Sequence, residues 1–201
     1  MKMLVTGFEA FGREHLNPSA EVLRLIPDWL DDIQIIKRIL PVTLKDSMKA
    51  VTEAIRAEDP DVVLSLGLAG GRSGITVERI AINVLDFSIP DNAGITVTDQ
   101  PIYEDGPDAY LTNLPVRVMT EAIKEQGIDA KISNTAGTYI CNYVLYATRY
   151  FCEQEQRKTR NGFLHLPYLP EQTRDKPAAT AMELADMVRG VTAAIKSIAE
   201  T

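Results

Sequence analysis

The sequence predicts an α/β fold: a three-layer α/β/α sandwich around a mainly parallel, twisted central sheet. Strand-like and helix-like segments alternate along almost the whole chain, a pattern typical of helices covering both faces of such a sheet. The run "DVVLSLGLA" is short and continuously apolar, as expected for a strand buried on both faces. The chain has 201 residues, 45% of them hydrophobic, which suits one compact core. It shows no linker, repeat or low-complexity segment, so residues 1–201 are interpreted as a single domain.

The first half of the chain supplies three strands and two helices. "MKMLVTGF" is the first strand, and Asn17 is then an N-cap with Pro18 at the first helical position, opening "SAEVLRLI". "IQIIKRILPV" is the second strand. An amphipathic helix, "TLKDSMKAVTEAIRAE", follows and leads into the apolar strand "DVVLSLGLA".

The second half continues the alternation after one long excursion. "GITVERIAINVLDF" is predicted as one strand, and residues 90–115 are rich in Pro, Asp and Gly. Within them, "GITVT" and "QPIYE" favour a hairpin, because connections of this length tend to be functional or to carry structure of their own. A helix ending at Gly127, the strand "AKISN", a helix holding both cysteines, the strand "GFLHLPYLP" and a closing helix over residues 180–199 complete the chain.

Composition argues against several classes of partner. The chain carries 21 basic and 28 acidic residues without a dense basic cluster, so we expect no nucleic-acid partner. No apolar run reaches the roughly 18–20 residues of a membrane helix. The start, "MKMLVTGFEAFG", meets Glu9 too early for the apolar region of a signal peptide. We therefore expect no membrane partner and a reducing, cytoplasmic location, where two lone cysteines stay unpaired.

The two cysteines differ in their surroundings. Cys152 falls late in its helix among apolar neighbours and is interpreted as inert packing. Cys141 stands at the helix start behind the turn "NTAGTY", where unpaired N–H groups and the positive end of the dipole stabilise a thiolate. Its position alone is also compatible with a buried structural cysteine.

Two histidines limit the partners that a catalytic thiol can have. His15 lies in the polar segment "GREHLNPS" and is interpreted as a solvated loop residue. His165 lies in an apolar strand, where an imidazole needs hydrogen-bond partners, and a core histidine satisfied by backbone is one interpretation. The other is functional: His165 is near the carboxyl end of its strand and Cys141 follows another, so both are expected at one edge of the sheet.

Glu78 is the candidate third group. Strand alternation in "GITVERIAINVL" places it on the same face as Ile80, Ile82 and Val84, and a carboxylate on an apolar face needs a partner. One alternative is a salt bridge to a distant Lys or Arg. The other is His165, whose tautomer the carboxylate would hold and whose imidazolium it would stabilise. These residues alone leave both open.

The glycine-rich turn "GLAGGRSG" raises the question of a nucleotide site. It matches neither G-x-G-x-x-G nor G-x-x-x-x-G-K-[ST], and it leads into a strand rather than a helix. A tight turn that lets backbone approach closely near the active edge is the preferred interpretation.

Three blocks, taken together, resemble one known family. "LVTGFEAFGREHLNPS", "GLAGGRSGITVERIAIN", and "ISNTAGTYICN" with "GFLHLPYLPEQ" are similar to the blocks of the pyroglutamyl peptidase type I family of cysteine exopeptidases. The resemblance implies a hydrolase that removes N-terminal pyroglutamate (5-oxoproline) from peptides through a thioester acyl-enzyme. It also implies an α/β/α sandwich, assembly as a homotetramer, and no metal or cofactor. The catalytic triad that it implies is Glu78, Cys141 and His165.

The resemblance also implies substrate-binding residues. Phe8 and Phe11 would line a pocket for the pyroglutamyl ring, and backbone near Tyr139 and Ile140 would contribute to it. Asp91 matches an acidic position implicated in activity, although a turn role explains it equally well.

Two departures from the family pattern bear on the same pocket. Leu68 stands where many relatives have Gln, and Ser88 stands where many have Arg.

The alternative function is a noncatalytic small-ligand or nucleotide-binding α/β domain that uses the glycine-rich turn.

Overall fold

Nine strands and five α-helices form the fold of the computed structural model, which describes residues 1–201. The strands are β1 (Lys2–Phe8), β2 (Trp29–Leu30), β3 (Ile33–Leu40), β4 (Val62–Leu68), β5 (Ile75–Glu78), β6 (Ile80–Ile82), β7 (Ala109–Leu111), β8 (Ala130–Ser133) and β9 (Arg160–Leu166). The helices are α1 (Pro18–Leu25), α2 (Leu44–Glu58), α3 (Val116–Glu125), α4 (Ile140–Gln154) and α5 (Leu184–Ala199), and a short 3-10 helix covers Pro170–Thr173.

The main sheet has seven strands in the order β2-β3-β1-β4-β9-β5-β8. Strands β3, β1, β4 and β9 run parallel to one another, and β8 runs parallel to β5. Strand β5 is antiparallel to β9, and β2 is antiparallel to β3. The predicted mainly parallel sheet is confirmed, with a reversal of direction between β9 and β5.

Helices cover both faces of this sheet, which confirms the three-layer prediction. One hydrophobic cluster joins α1, α3 and α5 to residues such as Val5, Leu64 and Leu164. A second cluster joins α2 and α4 to the alternate residues, such as Leu4, Val63 and Phe163. Because successive side chains of a strand point to opposite faces, β1, β4 and β9 each contribute to both clusters. No helix is at once long enough and apolar enough to cross a bilayer.

Side-chain caps mark the starts of α1 and α2. Asn17 caps α1 by accepting a hydrogen bond from the Ser19 N–H, and Pro18 opens the helix, as predicted. Thr43 caps α2 in the same way through Asp46. The closing helix begins at Leu184 rather than at residue 180, because the preceding segment pairs with Tyr168: Ala181 forms a β-bridge to it and Met182 donates to its carbonyl.

The strand predicted for "GITVERIAINVLDF" is wrong as one continuous element. The chain changes sheets at Arg79: its N–H donates to Ser133 in the main sheet, and its carbonyl accepts from Thr112 beside the small β6–β7 sheet, both at 2.9 Å. Glu78 therefore does not share a strand face with Ile80, Ile82 and Val84.

The hairpin predicted from "GITVT" and "QPIYE" is also wrong. The excursion is held instead by an isolated bridge between Leu85 and Gln100 and by side chains. The Asn83 amide oxygen accepts from the N–H groups of Ile102 and Tyr103, so backbone groups that a hairpin would pair internally are already occupied.

Candidate active site

The sheet face toward α2 and α4 carries polar side chains close to the start of α4. Leu164 and Leu166 of β9 pack on the opposite face, so alternation turns His165 toward α4. In β5, alternation likewise turns Thr76 and Glu78 to that face. His165 is in register with Thr76 on the neighbouring strand, so the imidazole and the carboxylate meet across the β5–β9 pair.

His165 and Glu78 are joined by a buried hydrogen bond. Nδ1 of His165 lies 2.8 Å from Oε1 of Glu78, and the two residues are 3% and 0% exposed. Burial raises the pKa of Glu78, but the hydrogen bond and charge of His165, with Ser133 and Arg72, lower it below its usual value overall. The carboxylate can therefore only accept, so Nδ1 carries the hydrogen and Nε2 presents a lone pair.

The charge state of the imidazole follows from the same burial. Burial lowers the pKa of His165, and the nearby Arg72 charge adds to this, while Glu78 acts in the opposite direction. His165 is therefore neutral near pH 7 and ready to accept a proton at Nε2.

A second partner also holds Glu78. Arg72 forms a salt bridge to the same Oε1 and donates to Thr76 Oγ1. Of the two partners considered from the sequence, His165 is present, and the basic partner is the nearby Arg72 rather than a residue distant in the chain. Oε2 of Glu78 is buried and lacks a hydrogen-bond partner.

Cys141 is the second residue of α4 and is partly exposed. A β-carbon built on Gly67 would lie 3.0 Å from its Sγ, and Gly67 of β4 is in register with His165 of β9. Paired strands lie about 4.8 Å apart, so the sulfur lies over Gly67, one strand away from His165 and on the sheet face from which the imidazole projects. The absence of a side chain at Gly67 provides the room for the thiol.

The route by which Cys141 reaches this place differs from the expectation. Strand β8 runs opposite to β9, so the carboxyl ends of the two strands do not lie at one edge. Ser133 at the end of β8 is in register with Glu78, and residues 134–139 then carry the chain to α4.

The thiol rests in its protonated form. Burial raises the pKa of Cys141 to about 12, the Glu78 charge adds to this, and Arg72 opposes it. The helix start, which favours a thiolate, does not overcome this burial. A base must therefore take the thiol proton before the sulfur can attack.

A small apolar cavity opens at the thiol. Its wall consists of Phe8, Phe11, Asn17, Val42, Leu68, Tyr139, Ile140 and Cys141. Seven of these eight residues are apolar, and none is charged. The Tyr139 ring packs edge-on against Phe87 at 4.7 Å and tilted against Phe11 at 6.0 Å, which fixes the aromatic wall. The cavity suits a small, uncharged, flat group beside the sulfur.

Asp91 lies outside this cavity wall. It is 4% exposed, and its carboxylate accepts hydrogen bonds from the N–H groups of Leu44, Ala93 and Ile95 at 2.8–2.9 Å. It thereby ties the excursion to the first residue of α2. The structure gives Asp91 the role of organising the turn that carries "IPDNAG".

Asn17 was recognised from the sequence as a helix cap but not as part of the cavity wall. Its amide accepts from Ser19 and donates to the Glu9 carbonyl at 3.0 Å, so its polar atoms are already partnered. Of the two departures, Leu68 lines the cavity, whereas Ser88 is exposed.

The remaining sequence-based interpretations concern groups outside the cavity. Cys152 is 0% exposed within the α2–α4 cluster, which confirms that it is packing, and His15 is exposed. The glycine-rich turn runs into β5, and a β-carbon on Gly70 would lie 2.1 Å from the Tyr168 ring. The close approach predicted for this turn is confirmed.

The chain is similar to proteins named pyroglutamyl peptidase or pyrrolidone-carboxylate peptidase. The family model described as pyroglutamyl peptidase matches residues 1–201. The pyrrolidone-carboxylate peptidase of Lactobacillus johnsonii is 44% identical over 200 residues, covering 100% of this chain and 93% of the relative. The solved structure of pyroglutamyl peptidase I from Bacillus amyloliquefaciens is similar with a TM-score of 0.96 at 38% identity, covering 100% of this chain and 95% of that one. The pyrrolidone carboxyl peptidase of Thermococcus litoralis has a TM-score of 0.95 at 37% identity, with 99% and 93% covered.

Proposed function

Because the chain belongs to the pyroglutamyl peptidase family, we propose that it hydrolyses the bond after an N-terminal pyroglutamyl residue with Cys141 as nucleophile. His165 serves as general base and acid, and Glu78 orients the imidazole. The observation that carries this proposal is the buried 2.8 Å contact between His165 Nδ1 and Glu78 Oε1, beside a cavity whose wall contains Cys141. Because Glu78 occupies Nδ1, Nε2 is the ring nitrogen that remains to act on the thiol.

The first half of the reaction forms the acyl-enzyme. Nε2 takes the thiol proton, and Sγ attacks the acyl carbon of the pyroglutamyl residue. The carbonyl electron pair moves onto oxygen, where N–H groups of the first turn of α4 stabilise it; no side chain caps these groups. The C–N bond then breaks as the imidazolium gives its proton to the leaving amine, which leaves a thioester on Cys141.

The second half regenerates the thiol. A water molecule gives a proton to Nε2 while its oxygen attacks the thioester carbon. The C–S bond breaks, the sulfur recovers the proton, and free pyroglutamate departs. Glu78 stays ionised throughout and stabilises the imidazolium in both halves.

Substrate selection follows from the apolar cavity. A pyroglutamyl ring is an uncharged lactam, and Phe8, Phe11 and Tyr139 would cover its ring atoms. Ile140 lies in the same wall, and Asp91 keeps the adjoining turn in place. An ordinary N-terminal ammonium would enter this uncharged cavity without a partner, at a large desolvation cost. The cavity thereby selects a cyclised amino terminus.

The same proposal includes the wider setting that the resemblance implies. The enzyme works in the reducing cytoplasm, where both free cysteines stay reduced. It needs no metal or cofactor and assembles as a homotetramer. Light scattering coupled to size-exclusion chromatography measures the subunit count, and a monomer would contradict the assembly.

A fluorogenic assay tests the function. Purified protein should release 7-amino-4-methylcoumarin from its pyroglutamyl derivative but not from the matching prolyl or glutamyl derivatives. Cys141→Ala should abolish release, while Cys152→Ala should retain it. A folded wild-type protein without turnover would contradict the proposal.

A further inference from the structure

The glycine-rich turn has a charged residue that the reaction above does not use. Arg72 lies in this turn, and its side chain is 21% exposed. Its main chain is fixed from both sides, because its N–H donates to the Ala69 carbonyl and its carbonyl accepts from Thr180 Oγ1. The turn therefore presents one guanidinium in a defined place.

That guanidinium joins two segments that carry different members of the proposed triad. Nη1 binds Glu78 Oε1 and Thr76 Oγ1 on β5. Nη2 donates to the Thr135 carbonyl at 2.9 Å, in the loop that leads to Cys141. A guanidinium carries several N–H donors in one plane, so it can bind both segments at once. An ammonium group does not reproduce this geometry.

We propose that Arg72 is a positioning residue for the reaction, which clamps the Glu78 carboxylate to the loop before α4 and supplies a positive charge beside the triad. This inference rests on the proposed function. It assigns a role to the glycine-rich turn: Gly70 lets the chain approach Tyr168 closely, and the turn brings Arg72 to Glu78.

The charge of Arg72 favours the protonation states from which the reaction starts. The titratable groups gathered here are Glu78 from β5, His165 from β9 and Cys141 from α4. Burial is the largest influence on the pKa of each, and against that background Arg72 lowers all three pKa values. It thus helps to keep the carboxylate ionised, the imidazole neutral and the thiol easier to deprotonate.

Arg72 does not line the apolar cavity, so its role should be separable from substrate binding. Arg72→Gln removes the charge and the clamp, and we expect kcat to fall about 10–100-fold, the value of one strong charge-assisted hydrogen bond. KM should stay within about twofold, because the cavity wall is untouched. The acid limb of the kcat/KM profile should move to higher pH, because the pKa values of His165 and Glu78 both rise without the nearby cation.

Two further variants separate charge from geometry. Arg72→Lys keeps the charge but not both contacts, so the acid limb should stay near its wild-type position while kcat still falls several-fold. Arg79→Gln is the matched control: it removes the same charge one residue from Glu78, at a side chain without an ion pair or hydrogen bond, and kcat and the acid limb should not change. Near-ultraviolet circular dichroism checks that each variant is folded.

The outcomes are distinct. If Arg72→Gln matches Arg79→Gln in kcat and acid limb, the proposal is overturned, and a change confined to KM overturns it as well. Should Arg72→Gln fail to fold, Arg72→Lys decides, since an unchanged kcat there contradicts the clamp. An inactive wild type would instead refute the proposed function itself.

Discussion

Replacing Glu78 with Gln tests the buried carboxylate with almost no change in shape. Oε1 of Glu78 accepts from His165 at 2.8 Å and from Arg72, and its Oε2 has no partner. A Gln carbonyl can accept the same bonds, so the ring position can persist while the negative charge is lost. The effect on rate therefore measures what the charge contributes to the reaction.

The expected loss can be worked from the separation of the charges. Two unit charges about 4 Å apart interact by about 4 kcal/mol at the effective dielectric constant of 20 that suits protein sites. Arg72 is present with and without the Glu78 charge, so losing this attraction costs up to about 4 kcal/mol, or roughly a 1,000-fold fall in kcat. An amide N–H turned toward Nδ1 would also hold the wrong tautomer and deepen the loss. Because the Glu78 charge raises the pKa of His165, its removal should move the acid limb of kcat/KM to lower pH.

The assay is release of aminomethylcoumarin from the pyroglutamyl substrate between pH 5 and 9, with kcat and KM resolved at each pH. Glu104→Gln is the matched control, since Glu104 is exposed and forms no ion pair. The acid limb shifts down for Glu78→Gln and up for Arg72→Gln, so the pair of variants distinguishes a charge effect from general damage. A Glu78→Gln enzyme with nearly full kcat, or with an unmoved acid limb, would refute the reasoning.

Three other substitutions test the thiol, the cavity and the buried imidazole. Gly67→Ala places a β-carbon 2.8 Å from the buried Phe163 ring and 3.0 Å from Cys141 Sγ. We therefore expect kcat to fall at least about tenfold and the melting temperature to fall by several degrees. An unchanged kcat would contradict the sulfur position. Phe11→Ala opens the aromatic wall, so KM should rise about 10- to 100-fold, in line with roughly 1.5–3 kcal/mol for a buried side chain. A Michaelis titration giving the wild-type KM would exclude this wall as the ring site. The pKa of His165 is lower in the folded protein than in the unfolded chain. As pH falls below about 6.5, the unfolded chain therefore binds more protons than the folded protein, and the free energy of unfolding decreases until the folded-state pKa is reached. Melting temperatures measured from pH 8 to pH 5 should fall with pH in the control His15→Gln, where the lost histidine is exposed. They should fall less steeply in His165→Gln. Equal slopes in the two variants would contradict a buried neutral His165 ring.

Local features of the structure were largely predictable from the sequence, since they depend on neighbouring residues. Asn17 and Pro18 mark the start of α1, and the turn before Ile140 marks that of α4. The pairing of Glu78 with His165 was one of two alternatives that the residues left open, and the family resemblance favoured it. Two such groups in one small chain limit the possibilities.

Features that depend on long-range pairing were not predictable in this way. The sequence does not reveal that β5 and β8 run opposite to β9, so the expected meeting of two carboxyl ends was wrong. The switch between sheets at Arg79 depends on acceptors and donors far along the chain, at Ser133 and Thr112. Arg72 was missed because its contact with Glu78 arises from the turn geometry, although its position six residues before Glu78 was visible.

Direct detection of the acyl-enzyme tests the central claim that the Cys141 sulfur attacks the pyroglutamyl carbonyl. The enzyme is quenched in acid during turnover and digested with trypsin under mildly acidic conditions. The digest yields separate peptides for the two cysteines, residues 132–149 and 150–157. Mass spectrometry should find one pyroglutamyl group on the peptide that contains Cys141, and none after Cys141→Ala. An adduct on the Cys152 peptide, or turnover that persists in Cys141→Ala, would contradict the account.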